Sequence, residues 1–473
     1  MTVKYISERC DIITDYINFL NNKKFVLESS GFEVDRNELN QRMFDFQKDI
    51  VRWSLAKGRS AIFASCGLGK TIMQLEWANH ICRHVGENSM VLILAPLSVS
   101  EQTVREGMKF GIDVTLCESQ DDCKPGINIT NYEKLGKFVA KEFCGVVLDE
   151  SSILKAFTGK VRTQIIDSFS PVPYKLACTA TPAPNDYMEL GNHSEFIGVM
   201  TRSEMLSMFF VHDGGHTSKW RLKGHCEDLF WQWMASWAVV IDNPADLGYT
   251  IEGYDLPPMN IHEIIVDADE PINETLTLSE RRVARRESLE LRCQKAADIA
   301  NSSNDQFIIW CNLNDEQNTL AKLVDDNVSV QGSTANKRKI EYERKWRTGD
   351  CKSMISKPLV YGYGLNWQHC HNIIFTGLSD SFEQYYQALR RCWRFGQNDP
   401  VNVYIVISAK EGCVKDNIER KENDFVHMRE EMLKHTKEIT KKELQRTSRL
   451  STPYNPQVSM VLPRWNEFVK CTV

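Results

Sequence analysis

The sequence of 473 residues has no long apolar run, no paired-cysteine motif and no excess of positive charge. No stretch reaches the roughly 18 apolar residues of a membrane span, and the charged first residues predict that no secretory signal is present. The 15 cysteines are scattered without a C-x-x-C pair. We therefore expect reduced thiols in a cytoplasmic protein, not a disulfide framework or a zinc ribbon. The net charge of −6 does not indicate nucleic-acid binding, but a local basic groove would suffice for it.

Two regions alternate short β-rich runs with helical patterns, which is typical of parallel α/β sheets. The predicted strands are residues 61–64, 91–95, 128–130, 146–148 and 175–179, then 307–311, 329–331, 353–355, 372–375 and 402–406. The predicted segments are a helical lead-in (1–43), a first α/β domain (44–190), a helical insertion and linker (191–300), a second α/β domain (301–408) and a charged helical tail (409–473). The sequence therefore predicts an α/β fold of two parallel-sheet domains with helical insertions and a helical C-terminal tail.

The segment ASCGLGKT at residues 64–71 carries the clearest chemistry. A glycine-bearing loop between a strand and a helix presents backbone N–H groups to phosphates at the positive end of the helix. Gly67 and Gly69 would form this cradle, Lys70 would reach the β- and γ-phosphates of ATP, and Thr71 would hold Mg²⁺. Ala64 stands where the general pattern has its first glycine.

Two further segments of the same half suit this chemistry. The apolar strand at 146–148 ends in Asp149 and Glu150. Asp149 is a predicted Mg²⁺ ligand, and Glu150 would orient or deprotonate the attacking water. Upstream, Gln47 could read the adenine edge and Phe46 could stack on its ring, although a buried phenylalanine at a helix start is the alternative.

Two arginines occur near the end of the second α/β region. Arg391 and Arg394 are three residues apart, so they share one helix face. Guanidinium groups stabilise the charge on a transferring phosphoryl group, although a solvated basic face is the usual meaning of such a run. About 300 residues separate these arginines from the glycine loop, too many for one ordinary domain. ATP chemistry is therefore predicted between two domains.

In this order the segments resemble the motifs of helicase superfamily two, and specifically its Snf-type double-stranded-DNA translocase branch. The matching segments are residues 46–47 (Q motif), 64–71 (I), 95–98 (Ia), 130–132 (the next DNA-contacting motif), 149–155 (II), 179–182 (III), 307–311 (IV), 362–366 (V) and 387–397 (VI). Ser152 replaces the usual histidine of motif II, and Gln102 stands where the branch often has tryptophan. The compact length is similar to bacteriophage members of this family.

The resemblance implies two tandem RecA-like domains that close around ATP, with Gly364 and Gln387 on the nucleotide side. It also implies sequence-independent contacts with the DNA backbone, and a location in the cytoplasm, that of the host cell for a phage protein. The residues implied for these DNA contacts are Ser98, Thr130, Tyr132, Ser333 and Asn366. Other replication or recombination proteins are possible partners.

Three functions stay open at this stage. The first is a DNA-stimulated ATPase that translocates on duplex DNA, and the second is a strand-separating DNA or RNA helicase. The third is a nucleotide-gated nucleic-acid-binding switch with little turnover. A zinc site is a weaker alternative, because its candidate ligands are irregularly spaced; they are His212, His216, His225 and Cys226.

Overall fold

The parallel sheets form where the sequence places runs that are apolar on both faces. The structure is a computed structural model, and it describes residues 29–97, 99–155, 159–184, 186–212, 220–267, 283, 285–361, 365–409 and 412–444. The strands of the first half are β1 (Arg59–Ala64), β2 (Met90–Ala95), β3 (Val114–Leu116), β4 (Gly126–Asn131), β5 (Gly145–Asp149), β6 (Tyr174–Thr179), β7 (Phe210–His212), β8 (Trp220–Leu222) and β9 (Ala238–Ile241). Those of the second half are β10 (Met259–Ile265), β11 (Phe307–Cys311), β12 (Asn327–Val330), β13 (Ser353–Ser356), β14 (Asn372–Thr376) and β15 (Val401–Ile407).

The helices alternate with these strands, as the crossover connections of parallel sheets require. In the first half they are α1 (Asp45–Lys57), α2 (Lys70–Val85), α3 (Ser100–Phe110), α4 (Lys160–Phe169), α5 (Leu190–Ile197), α6 (Arg202–Phe209) and α7 (Glu227–Ala235). In the second half they are α8 (Leu289–Asn301), α9 (Asn314–Leu323), α10 (Asn336–Arg347), α11 (Pro358–Tyr361), α12 (Phe382–Leu389) and α13 (Gly412–Leu444).

The first sheet has seven strands in the order β3-β4-β2-β5-β6-β1-β9, and all of its pairs are parallel. Its central strands are buried on both faces, which explains their continuous apolar sequences. The carboxyl ends of β1, β5 and β6 lie side by side, because these strands are neighbours and parallel. This edge carries the glycine loop after β1 and the acidic pair at the end of β5.

The second sheet has six strands in the order β10-β15-β14-β11-β13-β12, again all parallel. The predicted fold of two parallel-sheet α/β domains is confirmed. Within each domain the predicted strand centres coincide with observed strands. Burial of apolar side chains on both faces is the strongest local signal a strand can give, so these elements were accessible from sequence.

The predicted insertion at 191–300 is less helical than expected, since it adds one strand to each sheet. Strand β9 pairs with β1 at the edge of the first sheet, and β10 pairs with β15 at the edge of the second. Most residues of β10 are exposed, so its sequence lacks an apolar run. The predicted domain boundaries themselves stay predictions.

Three tryptophans of the same segment lie in the core of the first domain, as their apolar neighbours suggest. Trp231 and Trp233 belong to α7, and Trp237 precedes β9; all three are buried. The ring of Trp231 also stacks on His435 of α13, with ring centroids 5.4 Å apart. The long helix that follows the second sheet therefore packs on the first domain.

Within the described ranges, no helix combines the length and apolar character needed to cross a membrane. Twelve cysteines of the described residues are free thiols, and eight of them are buried, among them Cys178 in β6 and Cys311 in β11. The reduced state of these thiols in the cell stays a prediction.

Candidate nucleotide site between the two domains

The glycine loop leaves β1 at Ala64 and enters α2 at Lys70. Gly67 and Gly69 adopt left-handed φ angles of 93° and 81°, which side chains disfavour. A Cβ atom on Gly67 would lie 3.0 Å from the backbone nitrogen of Phe395, in the second domain. The loop thus needs glycine both for its turn and for close approach of the other domain. The first N–H groups of α2, a helix of 16 residues, point out of this turn.

The side chain of Lys70 curls back over the loop. Its Nζ donates hydrogen bonds to the carbonyl oxygens of Ala64, at 3.0 Å, and Ser65, at 3.4 Å. Thr71 is the next residue of α2, so its hydroxyl lies in the first helical turn. The ammonium group and the free helix N–H groups are therefore presented at one place, a suitable arrangement for an anionic phosphate group.

The acidic pair stands at the end of the neighbouring strand. Asp149 ends β5, and its Oδ1 accepts a 2.7 Å hydrogen bond from Nε2 of Gln74 in α2. Glu150 has a φ of 54°, which is unusual for a residue with a side chain. Its Oε2 accepts a 3.3 Å hydrogen bond from Thr179 Oγ1 at the end of β6. Strained backbone of this kind is often found at functional sites.

Both carboxylates are buried, and burial raises the pKa of Asp149 and of Glu150. The positive charges of Lys70 and Arg391 act in the opposite direction on both groups. Arg391 comes from the second domain, so the ionisation of the pair depends on groups from both domains. A buried acidic pair between two cations is a recognised mark of a functional site.

The helix α12 brings the second domain to this pair. Gln387 donates from Nε2 to Glu150 Oε2 at 3.5 Å, and its Oε1 lies 3.8 Å from Cys66 Sγ in the glycine loop. Arg391 Nη2 donates to the same Oε1 of Gln387 at 3.0 Å. Residues predicted from segments more than 300 positions apart are therefore in contact. Five residues predicted for an ATP site therefore converge on one cleft: Lys70, Asp149, Glu150, Gln387 and Arg391.

The helix α12 ends at Leu389, so Arg391 and Arg394 lie in the turns after it, and the prediction that they share a helix face is wrong. Both predicted arginine fingers are anchored within their own domain. Arg391 Nη1 donates to the carbonyl oxygen of Leu365 at 3.0 Å, and Arg394 Nη1 donates to the same oxygen at 3.1 Å. Burial and the neighbouring charge of Arg391 together lower the pKa of Arg394 to about 10. The two guanidinium groups therefore lie side by side at the carbonyl oxygen of Leu365, with Arg391 buried and Arg394 half-buried.

A third arginine contacts the loop directly, and sequence reasoning did not single it out. Arg390 Nη2 lies 3.5 Å from Ser65 Oγ, and its guanidinium group stacks over the ring of Trp393 with 4.8 Å to the centroid. The signal available in the sequence was its place beside Arg391 in the run RRCWR, but the helical spacing alone favoured the other two.

The thiol of Cys66 lies in the same loop among these cations. Burial raises its pKa, but Lys70, Arg390 and Arg391 more than offset this, so the pKa of Cys66 is lowered overall. The loop region thus has a positive local field that favours any anion.

The two residues predicted to read adenine lie beside the loop but are otherwise engaged in this structure. Phe46 is fully buried against Tyr249 and Tyr254. Gln47 accepts a 3.0 Å hydrogen bond from the N–H of Phe44 and donates one of 3.0 Å to the carbonyl oxygen of Leu68. Gln47 therefore supports the conformation of the glycine loop, and contact with a base stays a prediction.

A partly exposed aromatic group lies next to this position. The ring of Phe44 makes edge contacts with the rings of Tyr254 and Phe395. The ring centroids of Tyr254 and Phe395 are 4.4 Å apart. Phe44 and Tyr254 precede and follow the first sheet, whereas Phe395 comes from the second domain. These rings offer a stacking surface that sequence reasoning missed, because Tyr254 lies in a segment without any motif.

The residues predicted to contact DNA differ in how exposed their side chains are. Thr130 is 1% exposed in β4, so its hydroxyl offers no surface to a phosphate in this conformation. Tyr132 is buried, and its hydroxyl donates to the carbonyl oxygen of Asp149 at 2.7 Å. Ser333 is exposed and Asn366 is half-buried in the second domain. Ser98 and the nucleotide-side residue Gly364 lie outside the described residues.

A cavity of about 560 Å³ separates the two domains beside the acidic pair. Its lining includes Tyr132 and Glu150 of the first domain and Tyr361 and Leu365 of the second. The charged side chains along it have both signs; they are Glu101, Arg105, Glu133, Lys155, Lys339, Glu343 and Glu383. The cavity therefore reaches Glu150, one member of the acidic pair.

The alternative zinc ligands are not assembled in the described part of the chain. The ring of His212 packs on Trp220 with centroids 3.6 Å apart, and His216 lies outside the described residues. His225 and Cys226 belong to a short turn before α7.

The fold and site define a two-domain α/β protein with a glycine loop, an acidic pair and basic residues meeting between its domains. Residues 290–396 match the family model of the helicase conserved C-terminal domain. No curated protein matches the sequence. A solved structure described as "Sulfolobus solfataricus SWI2/SNF2 ATPase core in complex with dsDNA" is 16% identical, with a TM-score of 0.42, over 89% of this chain and 100% of that chain. With a TM-score this low, the similarity gives no information about the site.

Proposed function

We propose that the protein is an ATP hydrolase that moves on DNA, with hydrolysis in the cleft between its two domains. The observation that carries the proposal is the contact of Gln387 with both Glu150 and Cys66. Through it, the second domain reaches the acidic pair and the glycine loop of the first at once. The helicase C-terminal match over 290–396 contains Gln387 and both predicted arginine fingers, which supports the same assignment.

Each side chain has a definite task in this proposal. The backbone N–H groups of the loop and Lys70 would hold the β- and γ-phosphates at the positive end of α2. Glu150 would orient the attacking water and take up its proton. Arg391 and Arg394 would stabilise the charge that develops on the phosphoryl group, because their guanidinium groups stay protonated.

The residues present fit a magnesium ion. Asp149 is a buried carboxylate whose pKa is raised by burial, and a bound cation would favour its ionised form. Its Oδ2 is left for a ligand by the hydrogen bond that Gln74 donates to Oδ1. Thr71 and Asp149 would hold the ion, which supplies positive charge to the phosphate oxygens.

Movement on DNA would follow from closure and opening of the two domains in each ATP cycle. Binding should be independent of sequence and sensitive to salt, because phosphates would make the main contacts. The mixed charge of the cavity lining does not by itself distinguish DNA from RNA, or duplex from single strand. The strand-separating helicase thus stays the second candidate function.

The test is the rate of ATP hydrolysis with no nucleic acid, single-stranded DNA, duplex DNA and RNA, each at two salt concentrations. We expect strong stimulation by duplex DNA that declines at the higher salt. Equal rates in all four conditions would remove the nucleic-acid role. Negligible hydrolysis together with ATP-dependent DNA binding would instead favour the nucleotide-gated switch.

A second assay distinguishes translocation from strand separation. A translocating ATPase should displace the third strand of a triplex while leaving an ordinary duplex paired. If the duplex is unwound and the triplex stays intact, the helicase alternative is correct.

A further inference from the structure

The helix α12 presents a second set of side chains to the first domain, distinct from the two arginine fingers. Glu383, Gln387 and Arg390 follow one another at spacings of four and three residues, so they lie on one face of the helix. Each contacts a different part of the first domain. Glu383 meets the segment after the acidic pair, Gln387 meets Glu150, and Arg390 meets Ser65 in the glycine loop.

The contacts of Glu383 are the shortest of this face. Its Oε1 accepts a 2.6 Å hydrogen bond from Ser152 Oγ, and its Oε2 forms an ion pair with Lys155 Nζ. Glu383 is 6% exposed, and Ser152 is buried as well. A buried carboxylate needs such partners, because an uncompensated charge is costly away from water.

The segment that receives Glu383 is held firmly in the first domain. Nδ2 of Asn192, in α5, donates to the carbonyl oxygens of Leu154 and Lys155, at 2.9 and 3.2 Å. Ser151 Oγ lies 3.1 Å from Nε2 of His193, also in α5, and burial lowers the pKa of that histidine to about 4. The imidazole is therefore neutral near pH 7, and Ser152 and Lys155 lie on a fixed support.

We propose that Glu383 is a positioning residue for ATP hydrolysis. By binding Ser152 and Lys155 it fixes the rotation of α12, so that Gln387 stays at Glu150 and Arg391 stays near the acidic pair. The inference rests on the proposed ATPase activity and adds to it a residue that would touch neither nucleotide nor water. It also gives Ser152, which replaces the family's usual histidine, a partner in the other domain.

The geometry explains why one contact controls the others. Ser152 follows Glu150 by two residues, and Glu383 precedes Gln387 by about one helical turn. Two residues one turn apart on α12, Glu383 and Gln387, are thereby bonded to Ser152 and Glu150, which are two positions apart in the chain. A rotation of the helix by one residue, about 100°, would separate both pairs.

Charge exchange between Lys155 and Glu383 tests the proposal. We expect Glu383→Ala, Glu383→Lys and Lys155→Glu each to lower kcat for ATP by about 10- to 100-fold, because misplacement of catalytic groups by about 1 Å has effects of this size. The KM for ATP should change little, since the phosphate cradle is intact. The double variant Lys155→Glu with Glu383→Lys should recover most of the lost kcat, because the ion pair is restored with reversed sign.

The matched control is another lysine–glutamate pair, far from the cleft. Lys415 Nζ lies 2.5 Å from Glu263 Oε2 within the second domain. Reversal of its charge in Lys415→Glu should leave kcat and KM at the wild-type values. Amide hydrogen exchange at residues 151–155 gives a further readout, and it should rise in Glu383→Ala and return toward wild type in the double variant.

The outcomes separate the two proposals. Wild-type kcat in Glu383→Ala and Lys155→Glu, or a double variant no better than its worse single variant, overturns the positioning role while the ATPase proposal stands. A wild-type protein that hydrolyses no ATP overturns the proposed function, and the positioning role with it.

Discussion

Ser65 Oγ donates a 2.6 Å hydrogen bond to Asp242 Oδ1, although 177 positions separate the two residues in the chain. The same Asp242 oxygen forms a 2.5 Å ion pair with Arg429 of α13. Arg429 also donates to the carbonyl oxygens of Ala180 and Ile241, at the ends of β6 and β9. The long C-terminal helix is thereby attached to the strand ends that surround the glycine loop.

Replacement of Arg429 by methionine should loosen this attachment. The variant keeps a long side chain but removes the charge and its hydrogen bonds to the two strand ends. We expect a loss of about 1.5–3 kcal/mol in the free energy of unfolding, the usual worth of a hydrogen bond to a charged group. Urea denaturation followed by tryptophan fluorescence measures it, since Trp231 and Trp233 lie near α13.

Arg420 of the same helix provides the control for that variant. It pairs with Asp424 at the surface, where both side chains are largely exposed. Arg420→Met should cost no more than about 0.5 kcal/mol, as exposed pairs of this spacing do. If the two substitutions lower the free energy of unfolding equally, the contacts of Arg429 with the strand ends stabilise the fold no more than an exposed ion pair does.

The variants Lys70→Ala and Arg391→Ala should abolish ATP hydrolysis while the fold is preserved. Lys70 would hold the phosphates, and an arginine at the transferring phosphoryl group contributes about 10³-fold or more to kcat. Steady-state ATPase assays give the rates, and circular dichroism reports the fold. Lys434→Ala, an exposed position on α13, should behave as wild type. Substantial hydrolysis by either site variant would contradict the assigned roles.

Glu150→Gln should stabilise the protein at alkaline pH and inactivate it. Burial raises the pKa of Glu150, so the folded state keeps a proton that the unfolded state releases near the ordinary glutamate value of about 4.3. Wild-type stability therefore falls as pH rises from that value through the raised pKa. Because glutamine does not ionise, the variant should gain Tm at pH 8, by about 2–4 °C per kcal/mol, and little at pH 4.

Thermal unfolding scans of both proteins between pH 4 and pH 9 check this expectation. A variant Tm below that of the wild type at pH 8 would mean that the ionised carboxylate is stabilised by Lys70 and Arg391 more than it is destabilised by burial. The matched substitution Glu341→Gln, at an exposed carboxylate whose pKa is lowered by Lys345, should show no gain at pH 8.

Removal of one member of the buried pair Arg292–Glu316 should destabilise the second domain severely. The two side chains are fully buried, with Nη2 and Oε1 2.8 Å apart. Glu316→Ala would remove the buried carboxylate that pairs with this guanidinium group, at a cost of about 3–5 kcal/mol. The double variant Arg292→Met with Glu316→Leu should be the more stable of the two, because it buries no charge.

Chemical denaturation of these two variants provides the measurement. A smaller loss for the single variant than for the double variant would contradict the explanation by removal of one member of a buried ion pair. Arg292 and Glu316 both lie in the second domain, so the first domain should keep its own unfolding transition.

The strands of both sheets were predicted where the sequence shows apolar side chains on both faces. β1, β2, β5 and β11 are buried along nearly their whole length, so their sequences carry a continuous signal. The sequence pattern did not reveal β3 and β10, because edge strands are short or exposed and lack that signal. β9 was missed for another reason, since the helical segment around it suggested an insertion.

The residues of the site also divide into those with a local sequence signal and those without one. The loop containing Lys70 and the pair Asp149–Glu150 were recognisable from sequence. In each, residue types suited to one kind of chemistry stand within a few positions of one another. Arg390, Ser65 and Asp242 were not, because their partners lie far away in the chain and the contacts depend on how two domains meet. The roles of Thr130 and Gln47 likewise depend on burial and hydrogen bonding that no local pattern contains.

The amino-acid sequence by itself determined two α/β sheets, a glycine loop, an acidic strand end and a pair of arginines three residues apart. All of these follow from local spacing, backbone freedom at Gly67 and Gly69, and burial of apolar runs. Only the tertiary structure decided that α12 turns Glu383, Gln387 and Arg390 toward the first domain and that α13 returns to it through Arg429. The reason is physical: such contacts join residues hundreds of positions apart, and the packing of whole domains sets their distance.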